Sequence, residues 1–223
     1  MQRLTKNKIK PDHESNHERL VVFTRYPEPG TTKTRMIPLL GTKGAARLQQ
    51  KMTEHLMEQI KALPPSHGLV IEILYQGGDM SMLRDWLGDD YHFTPQYRGE
   101  LGSRMAHAFK QAFKQGAYAA VIIGTDIPGI TSGLIMEAFT LLTHDDLVIG
   151  PAKDGGYYLI GLQKNALRDA LPLLSSSIAW GTDLVLEQTI KAAGKSGLSF
   201  SLLKELEDVD NPEDIHVWEK VSA

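Results

Sequence analysis

The run Ala120-Val121-Ile122-Ile123-Gly124-Thr125-Asp126-Ile127-Pro128-Gly129-Ile130 constrains this chain more than any other stretch. Three β-branched residues follow one another without polar alternation, the pattern of a strand covered on both faces, as in a parallel sheet. Gly124 ends the apolar run, and Pro128-Gly129 keeps the chain from continuing as strand. Asp126 is therefore expected at the carboxyl end of a central strand, where open α/β sheets bind their ligands. A carboxylate there can hold a divalent cation that bridges phosphate oxygens. It can equally cap the turn or the helix that follows Pro128.

The chain has 223 residues, 42% of them hydrophobic, enough to bury a full core in one large α/β domain, taken as residues 19–223. Residues 1–18 are polar, carry charges of both signs and read as a solvated extension, with His13 and His17 not counted as metal ligands. The formal net charge of −3 argues against a nucleic-acid binder while leaving room for a basic loop that holds one phosphorylated ligand. With no cysteine, disulfides and thiolate metal sites are excluded, which suits a reducing cytoplasm. No apolar run reaches the roughly 20 residues of a membrane span, and the basic residues near the amino terminus lead into no apolar signal segment.

The fold proper is expected to begin with a strand at Leu20-Val21-Val22-Phe23. The loop after it holds Arg25, Pro27, Pro29, Gly30, Lys33 and Arg35. In doubly wound folds this first loop is where phosphates are held. Gly30 would let backbone approach the ligand, and Arg25, Lys33 and Arg35 would offer charge-assisted bonds to phosphate. The loop is neither a Walker A sequence nor G-x-G-x-x-G, and an ordinary exposed loop with solvated cations is the plain alternative. As an exposed cation, Lys33 would contribute little to stability.

Further along, apolar spacing predicts an amphipathic helix over 44–62, a strand over 69–75, a short helix over 81–87 and a short strand over 91–95. Gly99 and Gly102 bracket a tight turn around Leu101 that opens a helix to about residue 115; its start could offer backbone N–H groups to a base or phosphate. A helix over 132–142, capped by Thr131 or Ser132, follows Asp126. Strands over 146–151 and 157–162 flank Asp154-Gly155-Gly156, which is hairpin chemistry and would also put Asp154 at the same sheet end as Asp126. A helix opening at Trp180-Gly181-Thr182 and ending near 193, a strand over 198–203 and a last short helix from Pro212 complete the chain. This order gives a three-layer α/β/α domain around a mixed, mostly parallel sheet.

Five motifs in this order carry a resemblance. They are Arg25-x-Pro27-x-Pro29-Gly30-x-x-Lys33-Thr34-Arg35, Leu101-Gly102-x-Arg104-Met105, Gly124-Thr125-Asp126-Ile127-Pro128, Gly150-Pro151-Ala152-x-Asp154-Gly155-Gly156-Tyr157-Tyr158-Leu159-Ile160-Gly161, and Asp208-Val209-Asp210-x-Pro212-Glu213-Asp214. Together they resemble a bacterial family of small glycosyltransferase-A-like proteins, described as candidate nucleotide-diphospho-sugar transferases and associated with radical-SAM and arsenosugar clusters. The family is similar in fold to phospholactate guanylyltransferases and other nucleotidyltransferases. The resemblance implies a nucleotide-diphospho-sugar transferase (glycosyltransferase-A) fold and a site built on Mg2+ or Mn2+. Carried over by position, Asp126 and Asp210 would bind the metal, with Asp208 an alternative to Asp210. Lys33 and Arg35 would hold the diphosphate or triphosphate, Gly99 to Gly102 would border the base, and Asp154, Gly155 and Gly156 would face the acceptor. The sequence departs from the relatives in lacking the double glycine of nucleotidyltransferases in the first motif, and in having Asn211 and Gly181 where Thr and Ser are usual.

A nucleoside diphosphate or pyrophosphate leaving group gathers negative charge, which a metal on two carboxylates and fixed cations can neutralise. Asp154 is then free to orient or deprotonate an acceptor hydroxyl. A triphosphate loop usually wraps phosphates with several glycine N–H groups, whereas this one has a single glycine and two prolines without N–H. Transfer of a sugar from a nucleotide-diphospho-sugar to a small acceptor is therefore the expected reaction. Nucleotidyl transfer to a phosphorylated small molecule, with release of pyrophosphate, is the alternative, and a non-catalytic nucleotide-binding protein the second. The base, the sugar and the acceptor are left open, as is the oligomeric state, a homodimer included.

Overall fold

The computed structural model describes residues 17–65 and 68–222. In chain order the elements are β1 (His17–Arg25), a 3-10 turn (Thr34–Met36), α1 (Ile37–Lys61), β2 (Leu69–Gln76), α2 (Met80–Leu87), β3 (His92–Pro95), α3 (Leu101–Lys114), β4 (Ala117–Gly124), α4 (Ser132–Leu141), β5 (Leu147–Pro151) and β6 (Tyr157–Gln163). A set of short turns around α5 (Leu167–Ala170) follows, then α6 (Val185–Lys195), β7 (Phe200–Leu202), a 3-10 turn (Pro212–Asp214) and α7 (Ile215–Ser222).

Seven strands form one sheet in the order β3-β2-β1-β4-β6-β5-β7. Every neighbouring pair is parallel except those of β6, which runs antiparallel to both β4 and β5. The expected mixed, mostly parallel sheet is therefore present. From β1 the chain winds outward through β2 to β3, then returns to lay β4 on the opposite flank of β1. The carboxyl ends of β1 and β4 thus border the crevice at which strand order reverses, the site that doubly wound sheets use for ligands.

The alternation along each strand explains the layers. Leu20, Val22, Val121 and Ile123 face α1, α2 and α4 through Leu56, Met57, Ile60, Leu83, Ile135 and Phe139. Val21, Ile122 and Ile160 face α3, α5 and α6 through Met105, Phe109, Phe113, Ala170 and Ala193. Val121, Ile122 and Ile123 are all buried, as an apolar run without alternation requires. Thr131 caps α4, its hydroxyl accepting from Leu134 N at 3.3 Å. Among the described residues no helix is long and apolar enough to cross a membrane.

The structure departs from the sequence reading at four places. The helix expected over 44–62 begins at Ile37, with a non-helical break at Gly41 (φ 67°, ψ 170°). Its first turn packs Ile37 and Leu40 against a separate cluster of Met36, Leu48, Met52 and Val209, outside the periodicity of the main helix. The helix expected from Trp180 starts only at Val185. Residues 179–184 turn instead, with Thr182 Oγ1 donating to Ala179 O at 2.8 Å. The turns of 164–174 were not anticipated, since they carry no sustained period; they bury Ala166, Ala170, Leu173 and Leu174 over the α3 face of the sheet.

Finally, β1 starts at His17, inside the stretch read as a polar extension, while residues 1–16 of that stretch lie outside the described residues. Its polar letters are buried: Arg19 pairs with Glu72 of β2 at 2.8 Å and donates to Gln115 Oε1 at 2.6 Å. Removing one partner of a buried ion pair strands the other charge. Glu72→Ala is therefore expected to cost about 3–5 kcal/mol in urea unfolding, and the double variant Arg19→Met with Glu72→Leu much less. A single-variant loss no larger than that of the double variant would show that the pair is not held dry.

Candidate active site

A cleft of ≈ 690 Å³ opens at the carboxyl ends of β1 and β4. Arg25, Lys33, Arg35, Leu101, Arg104, Asp126, Asp154, Gly156, Asp208 and Asp210 line it, together with the turn of Trp180 to Asp183. Its floor is a buried network of short polar groups. Gln49 Nε2 donates to Thr125 Oγ1 at 2.9 Å and to Thr53 Oγ1 at 3.2 Å, and Thr24 Oγ1 lies 3.3 Å from Thr53 Oγ1 and 3.4 Å from Thr125 Oγ1. This network ties α1 to the ends of both central strands, immediately before Arg25 and Asp126.

Lys33 sits at the centre of the acidic side. Its ammonium contacts Asp126 Oδ1 at 2.8 Å, Asp210 Oδ1 at 2.7 Å and Val209 O at 2.6 Å. An ammonium has three N–H donors, so protein acceptors engage all of them. The side chain is only 4% exposed, against 51% for Asp126 and 38% for Asp210. The expectation of an exposed loop cation is thus corrected: the loop folds back so that its lysine neutralises two acids at the cleft wall. Burial works against the charged ammonium, yet the Asp126 and Asp210 carboxylates outweigh it and hold the Lys33 pKa above the ordinary lysine value of 10.5. Lys33 is also the only non-glycine with positive φ among the described residues (φ 50°). Such a left-handed conformation costs of order 1–3 kcal/mol and persists where its surroundings impose it.

Val209 makes the convergence possible. It is fully buried, donates its N–H to Asp126 O at 3.0 Å and accepts the lysine on its own carbonyl. Asp208 and Asp210 therefore lie on either side of a pinned residue. Asp214 Oδ2 accepts from Asp210 N at 3.1 Å and Asn211 N at 2.7 Å, closing a capping box that fixes the acidic run. Of the two late acids, Asp210 shares Lys33 with Asp126. Asp208 is pushed up to about 6, first by burial and then by the nearby Asp154 and Asp210 carboxylates. Asp154 lies in the β5–β6 hairpin, where its Oδ1 accepts from Gly156 N at 2.8 Å. Gly155 adopts φ +84° beneath the backbone of Asp183; a Cβ there would meet Asp183 O at 2.1 Å.

The other side of the cleft is cationic. Arg25 donates to Gln76 Oε1 at 3.1 Å and Thr31 O at 3.3 Å, and Arg104 to Gln96 Oε1 at 2.6 Å. Arg35 reaches Asp210 only at 3.9 Å and is mostly exposed. Of the residues expected in the site, Gly30, Gly99, Gly102 and Gly155 do not line the cleft. Gly102 serves packing, since a Cβ on it would meet Leu174 O and the Trp180 ring at 2.6 Å. Sequence reading passed over Arg104 as a functional residue, although it stands in the quoted Leu101-to-Met105 motif, because attention fell on the flanking glycines. Val209 stands in the quoted Asp208-to-Asp214 motif but is apolar between acids, and Gln49 is one polar residue within an amphipathic helix, so neither is marked as a site residue by its type.

The seven-strand, mostly parallel sheet with helices packed on both faces is the fold of nucleotide-diphospho-sugar transferases and nucleotidyltransferases. The chain belongs to the bacterial family described as "Uncharacterized protein conserved in bacteria (DUF2064)", whose model matches residues 59–182. It is 32% identical to a candidate nucleotide-diphospho-sugar transferase from Desulfovibrio desulfuricans G20, with a TM-score of 0.84 over 92% of this chain and 87% of that one. Similarity of fold alone extends to 4-diphosphocytidyl-2C-methyl-D-erythritol synthase from Anaerococcus prevotii DSM 20548 (TM-score 0.63, 10% identity, 93% and 97% covered). It extends likewise to the inositol-1-phosphate CTP transferase from T. maritima (TM-score 0.55, 13% identity, 93% and 95% covered). No curated protein matches the sequence.

The bridging lysine has a consequence for stability. A raised folded pKa means that the charged ammonium stabilises fully below pH 10.5 and loses that contribution as pH rises through the higher folded value. Lys33→Met should cost about 1–2 kcal/mol at pH 8, since the half-exposed carboxylates recover water. The gap between wild type and variant should narrow by pH 11. Urea unfolding of both proteins at the two pH values checks this, and a gap that stays constant or widens would rule it out.

Proposed function

We propose that the protein is a divalent-metal-dependent transferase that moves a sugar from a nucleotide-diphospho-sugar to a hydroxyl of a small acceptor. The observation that carries this reading is the convergence of Asp126 and Asp210, remote in sequence, on Lys33 beside the strand-order switch point. The donor set suits Mg2+ or Mn2+: the carboxylates are hard oxygen ligands, partly exposed to the cleft. Among the described residues there is no group of three or more His, Cys, Asp or Glu that could hold a metal. A two-carboxylate site fits a cation that keeps its remaining positions for water and phosphate. Bound by Asp126 and Asp210, the metal would supply positive charge to the phosphate oxygens as the nucleoside diphosphate departs.

The remaining roles belong to the chain itself. Lys33 keeps the two carboxylates at a fixed spacing before any ligand arrives, so that no reorganisation is needed on binding. Asp154, on the hairpin across from them, orients the acceptor hydroxyl and takes its proton. The first loop favours a diphosphate donor over a triphosphate. Pro27 and Pro29 have no N–H, Glu28 N is turned onto Tyr26 O at 2.8 Å, and Thr31 N onto Glu28 O at 3.3 Å. Residues 27–31 thus leave few backbone donors to wrap a phosphate chain.

Incubation with nucleotide sugars or with nucleoside triphosphates, each with candidate acceptors and Mg2+ or Mn2+, separates the reactions by product. Nucleoside diphosphate released from a nucleotide sugar is expected. Acceptor-dependent pyrophosphate from a triphosphate, with no nucleotide sugar turned over, would move the protein to the nucleotidyltransferases. Binding without either product would make it a nucleotide-binding protein. A donor at 100 times its Kd should stabilise the fold by about 2.7 kcal/mol in the presence of metal. Asp126→Asn and Asp210→Asn should each lower turnover roughly 10²–10³-fold. Full turnover in either variant would remove that residue from the metal site.

A further inference from the structure

We propose that Arg25 and Arg104 form a second charged subsite, in the same cleft as the carboxylates, which binds a phosphoryl group of a substrate. This deepens the nucleotide-transferase reading above and rests on it for the identity of the substrate, though not for the existence of the subsite.

Lys33, the most obvious phosphate ligand in the sequence, has no donor left to give, since Asp126, Asp210 and Val209 take all three. Of the other cations that line the cleft, the guanidiniums of Arg25 and Arg104 stand out. Neither has a carboxylate within ion-pair distance among the described residues. Each is instead held by a neutral amide, Arg25 by Gln76 and Arg104 by Gln96. Gln96 is in turn fixed by its own donations to Leu74 O at 2.9 Å and Thr24 O at 3.2 Å. An amide orients a guanidinium without neutralising it, so the charge of both arginines is preserved for the cleft.

Arg104 carries the stronger evidence. It is half-buried, and its Nε–H is shut off from solvent without a hydrogen-bond partner. An unpartnered donor of this kind asks for an explanation, because leaving it unmade costs about 1–3 kcal/mol. Burial first, and the like charge of Arg25 second, make the charged form of Arg104 harder to sustain than in water. Two cations held together without a counter-charge are poised for an anion that bridges them. Arg104 also stands in the first turn of α3, whose N-cap Glu100 makes no side-chain cap bond, so the positive end of that helix adds to the same field. A tetrahedral dianion matches the two charges and can accept from the Nη–H groups of both guanidiniums. Such a group can belong to the donor's diphosphate or to a phosphorylated acceptor.

Calorimetric titration of inorganic pyrophosphate in the presence of EDTA tests the subsite without any contribution from metal. Wild type is expected to bind. Arg25→Gln and Arg104→Gln should each weaken binding roughly tenfold or more, and Arg104→Lys should recover only part, having lost the planar fork. The melting temperature of each unliganded variant serves as the folding control. Wild-type affinity in Arg104→Gln, or no binding of pyrophosphate to the wild type at millimolar concentration, overturns the subsite. Competition then identifies the source. A nucleoside diphosphate that displaces pyrophosphate one for one places the donor's phosphates on the arginines; simultaneous binding assigns them to the acceptor. The two readings fail separately. Pyrophosphate binding that is unchanged in Arg104→Gln, in a protein that does bind nucleotide, sinks only the subsite. Arginine-dependent pyrophosphate binding in a protein that takes no nucleotide or nucleotide sugar, with Mg2+ or without, sinks only the nucleotide reading.

Discussion

The ammonium of Lys33 joins three segments that no secondary-structure element connects. These are the loop after β1, the end of β4 and the acidic run before α7, and they meet in bonds to Asp126, Val209 and Asp210. The left-handed backbone at Lys33 is the strain that accompanies this reach, offset by charge-assisted bonds in a nearly dry position. Val209 supports the same junction from the apolar side, buried against Met36, Leu48 and Met52. Hydrophobic packing thus sets the place of the late acids, and the lysine sets their distance from Asp126. Without the lysine, two carboxylates would face one another across the mouth of the cleft with nothing to hold them there.

Electrostatic division of the cleft follows from the topology. The strands that carry the acids lie on one side of the switch point. Asp126 follows β4, Asp154 turns between β5 and β6, and Asp208 and Asp210 come after β7. The arginines lie on the other, Arg25 ending β1 and Arg104 opening α3. The antiparallel β6 is what brings Asp154 into the group. A parallel crossover from β5 would need a dozen or more residues and a helix, whereas a hairpin returns the chain at the same sheet end within a few. The polar network of Thr24, Gln49, Thr53 and Thr125 underlies both halves. Through it α1 acts on the strand ends, as it acts on the late acids by packing Leu48 and Met52 against Val209.

Preorganisation is the common theme of these contacts. Gln76 and Gln96 aim cations, Asp214 aims Asp210, and Gly156 N aims Asp154, and each does so through backbone or neutral side-chain partners. Groups aimed in this way keep their charge available and pay little to reorganise when a charged ligand arrives. The family relationship and the similarity in fold to nucleotide-diphospho-sugar transferases fit such a site, in which position and charge, more than covalent chemistry, do what is required.

Sequence alone determined the class of fold, the buried central strand and the placing of Asp126 at its end, because these follow from local apolar runs and their terminators. It also located the loop cations, the Asp154 hairpin and the late acids, as residue types at recognisable spacing. What it could not supply was which of them meet. Lys33 looks like a solvated loop cation until the loop is folded onto Val209, where it is buried between two carboxylates. Trp180 to Asp183 look like the start of a helix until they are seen to wall the cleft. His17 looks like part of a polar tail until β1 is seen to begin with it and to bury Arg19 beside Glu72. For Lys33 and Arg19 the deciding partners come from far along the chain, Val209 and Asp210 in one case and Glu72 in the other. Burial, pairing and the direction of a charge are properties of such contacts, and only the tertiary structure holds them.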